Sequence, residues 1–155
     1  MSAYGTIDAA RAGMIYGIVD DIETLIVSSG AEFEYGDPVF VKQGEEEVAY
    51  EGNSGDATLV FAGVAVVSQK SSLTAAGKYE AYDEMNVLRE GKVWVTVASG
   101  QTGVANKAAY VIHATGDSNY EKFTGSSSST YDCGGYFRSN PTSDWLAVLE
   151  VRGLK

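Results

Sequence analysis

The chain is poor in the residues that most often carry chemistry. It has one cysteine, Cys133, and one histidine, His113, in 155 residues. A lone cysteine closes no intrachain disulfide and points to synthesis in a reducing compartment. No Lys, Arg or His flanks Cys133 to hold a thiolate, so it reads as a small buried hydrophobe. A lone histidine removes multi-histidine metal sites, and His113, at the end of the apolar run Ala108 to Ile112, reads as structural. The longest apolar run, Leu59 to Val67, is about half of what a membrane-spanning helix needs. No basic segment followed by an apolar one opens the chain, so no secretory signal is visible. The glycine patterns that cradle phosphates are missing, and Ser99-Gly-Gln-Thr-Gly103 is too short and lacks the lysine. No cofactor and no metal is expected.

Positive charge is scarce as well. Eleven basic residues stand against 21 acidic ones, a net charge of −10, opposite to what phosphate neutralisation demands. Nucleic acid and membrane are therefore not expected partners. Residues 1–51 hold 11 of the acids and only Arg11 and Lys42 as bases. Such a half is either a solubilising face or a surface complementary to a basic protein. Asp20-Asp21-Ile22-Glu23 offers oxygen ligands to calcium but lacks the spacing of an EF-hand. Glu45-Glu46-Glu47 reads as a solvated turn. A hydrolase built on two carboxylates would need a pocket where convergent acids have split pKa values.

What is present points to strands. Hydrophobic residues at 45% and charged residues at 21% suit one folded domain with a full core. Gly (18), Tyr (10) and β-branched residues abound, and no long stretch keeps a helical period. Ten short strands are predicted: 23–28, 38–42, 47–51, 58–68, 84–90, 93–98, 108–113, 120–124, 134–138 and 145–152. They imply an all-β fold, a single compact β-barrel or β-sandwich. Leu59 to Val67 is apolar on both faces, as a central strand covered on both sides would be, with Gly63 marking a bulge or close backbone approach. Asn86 to Val95 reads as a hairpin turning at Arg89-Glu90-Gly91-Lys92. An internal echo near 70 residues links Tyr35 to Val41 with Val104 to Val111, Phe61 to Val66 with Cys133 to Phe137, and Val87 to Val95 with Trp145 to Val151. Residues 1–20 have apolar content without a clean period and read as an N-terminal arm before a β domain at 21–155. That arm covers either its own core or a neighbouring subunit. Loops are expected at 30–37, 52–56, 115–119 and 125–130.

Gly36-Asp-Pro-Val-Phe-Val41, Phe61-Ala-Gly-Val-Ala-Val66, Asp83 to Val95, Asn106-Lys-Ala-Ala-Tyr-Val111 and Trp145 to Val151 together resemble the structural cement proteins that decorate tailed-phage capsids. The sequence departs from that pattern at Asn106-Lys107, where Gly-Asp is expected, and at Glu84, which replaces a Gly; both are turn positions. The resemblance implies a noncatalytic virion protein, made in the host cytoplasm. It would bind the outer surface of the major capsid protein lattice as a homo-oligomer, dimer or trimer, and stabilise the DNA-filled head. The residues expected to touch the capsid or a sister subunit are Met14, Ile15, Tyr16, Ile18, Val19, Asp20, Asp21, Glu23, Glu32 and Glu34. The tyrosines, with Trp94 and Trp145, also fit an alternative: a carbohydrate-binding module displayed on a virion or secreted.

Overall fold

The computed structural model describes residues 10–53, 55–66, 78–113, 117–127 and 130–152, and of residues 18–20 the backbone alone. Among them there is no helix. The strands are β1 (Ile15–Val27), β2 (Phe33–Glu34), β3 (Pro38–Lys42), β4 (Val48–Ala49), β5 (Leu59–Ala65), β6 (Lys78–Tyr79), β7 (Glu84–Thr96), β8 (Ala108–Ile112), β9 (Phe123–Thr124), β10 (Thr130–Phe137) and β11 (Leu146–Arg152). Nine of them share one curled sheet, and β2 pairs with β6 apart from it.

β7 is the hub. One edge carries β1, antiparallel from Glu84 to Val93. The other edge carries β5 at Val87 and Leu88, and then β11 from Glu90 to Thr96. From β5 the pairing passes to β3, crosses the Phe40–Tyr50 bridge, and returns through β4, which runs parallel to β1. From β11 it passes to β10, β8 and β9, and a parallel Phe123–Val97 bridge returns it to the end of β7. The pairing thus closes two circuits that share β7. They follow the internal echo: β3, β5 and the first half of β7 match β8, β10 and β11 in order and direction.

Apolar side chains fill both faces of the sheet. On β5 and just after it, Phe61, Val64 and Val66 join Leu88, Val93, Val95, Phe123, Phe137 and Leu149 in the larger core, while Ala62 and Ala65 face Leu25, Val27, Val39, Met85 and Val87 in the smaller one. A strand buried on both sides reads as a continuous apolar run, as Leu59 to Val66 does. The strand pair β2–β6 closes the smaller core with Phe33 and Tyr79, whose hydroxyl donates to the Val66 carbonyl at 2.6 Å.

Three expectations change. The segment around Gly91 is not a hairpin: Glu84–Thr96 is one 13-residue strand. A turn would pair its two halves with each other, but here each half finds a longer partner, and Gly91 faces Val19 on one side and Val151 on the other. Its φ of 134° bends the strand opposite a bulge in β1 instead of reversing it. β1 begins at Ile15, eight residues before the predicted strand, so residues 15–20 of the expected arm are sheet. The loop foreseen to Thr130 ends sooner, because β10 starts there, and the loop foreseen at 30–37 holds β2, where Phe33 closes the smaller core. The arm's residues 1–9, the strand end at 67–68 and loop positions 115–116 and 128–129 lie outside the described residues.

Two structural details recur in both circuits. A Cβ on Gly63 would lie 2.2 Å from the Leu88 carbonyl oxygen, and one on Gly135 would lie 2.3 Å from that of Glu150. Each glycine lets one strand cross closely over the backbone of the next. Eight four-residue turns among the described residues also share a form, a backbone bond from the fourth residue to the first with the third at positive φ, and three of them are the following. Asp37 N–H donates to the Glu34 carbonyl, Asp83 N–H to that of Glu80, and Lys107 N–H to that of Val104. In the first two, the aspartate side chain takes the N–H of the turn's first residue at 2.8 Å. The third residue of each has positive φ: Gly36 at 91°, Tyr82 at 69° and Asn106 at 66°.

The crossings are testable. Gly63→Ala and Gly135→Ala are each expected to destabilise the protein by about 1–3 kcal/mol or more in urea unfolding, since backbone cannot yield as a side chain does. Gly55→Ala, which meets nothing closer than 3.4 Å, is expected to be near neutral.

Candidate interaction surfaces

The ten residues predicted at an interface fall into two places. The first is the outer edge of β1. Beyond Ile26 and Val27, which pair with β4, that edge has no strand partner among the described residues. The Met14 carbonyl accepts the Trp94 N–H at 2.9 Å, which ties the entry of β1 to β7. Ile15 packs on the larger core. Tyr16 is half exposed and stands edge-on to Trp94, with ring centroids 6.0 Å apart. Asp21 is exposed opposite Glu90, and Glu23 binds Arg89 at 2.6 Å. Ile18, Val19 and Asp20 lie on the same strand, but their side chains are outside the described residues. Ile22, exposed and missing from the prediction, extends the apolar part of this edge.

Glu32 and Glu34 belong to a second place. With Asp37, Glu51, Thr96, Tyr120, Glu121 and Lys122 they line a cavity of about 500 Å³. Glu34 and Asp37 come from the turn between β2 and β3, Glu51 follows β4, and Glu121 precedes β9, so carboxylates from both circuits meet here. Sequence spacing gave no sign of it, because Asp37 and Glu121 are 84 positions apart and only the curl of the sheet joins them. Tyr120 donates its hydroxyl to the Gly52 carbonyl, and Glu32 pairs with Lys78 outside the cavity.

Burial, followed by repulsion from Glu34 and Glu51, pushes Asp37 up to about 7 against the N–H bond from Glu34 that favours its charge. Burial, then repulsion from Asp37 and Glu51, pushes Glu121 up to about 8. Burial also raises Glu51. All three move the same way. Acid–base catalysis by two carboxyls needs one held up and another held down, and these three do not supply that split. Among the described residues no three His, Cys, Asp or Glu side chains come together as metal ligands. Cys133 is buried and its thiol is pushed up by burial, which leaves it inert. His113 lies edge-on to Tyr131 at 4.8 Å, with Nδ1 buried and unpartnered, and is not among the residues that line the cavity.

The arrangement is a β protein with an edge of β1 unpaired among the described residues and an acidic cavity. The family model of the structural cement proteins (E217 gp24/Pam3 gp6) matches residues 2–152, and the chain belongs to that family. Among solved structures it is similar to a chain in the capsid of Myoviridae phage XM1, with a TM-score of 0.75 and 17% identity over 97% of this chain and 95% of that one. No curated protein matches. The protein is a phage structural protein, as the sequence motifs had implied.

The acidic cavity makes a pH prediction. Asp37 and Glu121 have folded pKa values raised above their unfolded ones, so their contribution to stability is fully present below about pH 4 and is lost as the pH rises through about 7 to 8. Urea midpoints are expected to fall between pH 5 and pH 8, and Asp37→Asn with Glu121→Gln is expected to flatten that fall.

Proposed function

We propose that the protein binds the outer surface of the major capsid lattice, assembles there as a dimer or trimer, and braces the DNA-filled head without catalysing a reaction. The family match over residues 2–152 is the observation that carries this reading. The exposed edge of β1 supports it. Unpaired strand N–H and C=O groups accept another chain readily, and Tyr16 on Trp94 adds an aromatic contact beside them. Of the ten predicted residues, Tyr16, Asp21, Glu32 and Glu34 stand in solvent ready to touch capsid or sister subunit, and Glu23 is half-buried against Arg89. Met14, Ile15, Ile18, Val19 and Asp20 shape the edge of β1, and Glu32 and Glu34 supply negative charge elsewhere on the same half. Residues 1–20 as a whole are the contact region in this reading. A bracing protein needs no tight single site. Apolar burial stabilises by about 25 cal/mol per Å², and repetition over every lattice position multiplies a modest contact.

Expanded heads lacking the protein provide the test. Added protein is expected to bind at a saturating, symmetric stoichiometry and to raise the temperature at which heads release DNA. Tyr16→Ala combined with Asp21→Lys is expected to weaken binding about tenfold while circular dichroism and the urea midpoint stay close to wild type. Heads that take up no wild-type protein would refute the proposal.

A further inference from the structure

Tyr82 occupies a glycine's place. Of the eight described turns of this form, five use Gly and one Asn at the third position, the residues that tolerate positive φ; one puts Glu121 there, and the turn Glu80–Asp83 puts a tyrosine there at 69°. A large side chain in that conformation is strained, and strain of this kind persists only where something compensates for it. Tyr82 is 72% exposed, the most open large hydrophobic residue described, and no ring or cation meets its phenol among the described residues. Its turn is held firmly all the same, by the Asp83 carboxylate on Glu80 N–H and by Tyr82 N–H on the Val27 carbonyl. The ring is therefore presented outward on a rigid base.

The chain itself shows what such a ring takes. At two other places a tyrosine beside a carboxylate carries a cation. Lys42 lies 4.4 Å over Tyr50 and 3.6 Å from Asp56, and Arg152 lies 4.6 Å over Tyr136 and 2.7 Å from Glu150. Tyr82 has acidic neighbours in sequence, Glu80 and Asp83, but among the described residues no cation over its ring. We infer that Tyr82 is a docking knob for an arginine or lysine on a partner protein's surface, its ring and the acidic turn together completing the arrangement that Tyr50 and Tyr136 complete within the chain.

This rests on the capsid-binding reading, the partner surface being that of the head. The test compares Tyr82→Gly, Tyr82→Phe and wild type on expanded heads lacking the protein, with thermal unfolding measured in parallel. Tyr82→Gly is expected to unfold at the same or a higher temperature, because glycine relieves the turn, and to bind heads about tenfold more weakly. Tyr82→Phe, which keeps a ring, is expected to bind within about threefold of wild type. Undiminished binding by Tyr82→Gly would overturn the inference and leave the capsid-binding reading standing, since wild type would still bind. Loss of self-association by Tyr82→Gly in sedimentation, with head binding intact, would overturn it equally. Failure of wild type itself to bind heads would refute the broader reading first.

Discussion

The whole structure hangs on one strand serving two circuits. β7 gives one edge to β1 and divides the other between β5 and β11. The division occurs around Gly91, buried and bent, with a bulge in β1 opposite it. Because each circuit borrows β7 to close, neither half has a complete ladder alone. Hydrogen bonds left unmade on a buried strand would cost more than they return when formed, so the two halves stand or fall together.

From that constraint the surfaces follow. Two circuits curling from a common strand bring the β2–β3 turn of one next to the segment before β9 of the other, and their carboxylates line one cavity. The cavity is electrostatically costly, as the raised Asp37 and Glu121 show. Among the described residues the same curl leaves most of the long edge of β1 open, while the edge of β3 is covered by its bridge to Tyr50. An open edge is a hazard in a soluble protein and an asset in one whose working state is attached to others.

The two aspartate-closed turns, at Glu34–Asp37 and Glu80–Asp83, show how a repeated device acquires separate uses. The first takes Gly36 at its tightest point because Ala12 and Gly13 pass against it: a Cβ there would lie 2.5 Å from that of Ala12. In the second, Tyr82 is open to solvent at the matching position. Packing therefore demands glycine in one turn and permits a ring in the other.

Strand composition, the two-faced burial of Leu59 to Val66, the close approach at Gly63, the buried state of Cys133 and the family were all legible in the sequence. Each depends on residue type and local pattern, which a one-dimensional reading keeps. The course of the chain at Gly91 was not legible, because a glycine between two apolar stretches suits a turn and a bend equally, and the choice fell to partners 60 or more positions away. The grouping of Glu34, Asp37, Glu51 and Glu121 was hidden for a like reason: charge repulsion and desolvation act through space. Residue chemistry fixed what could be buried and what had to face water. Only the closing of two circuits on one strand decided which of those exposed groups would meet.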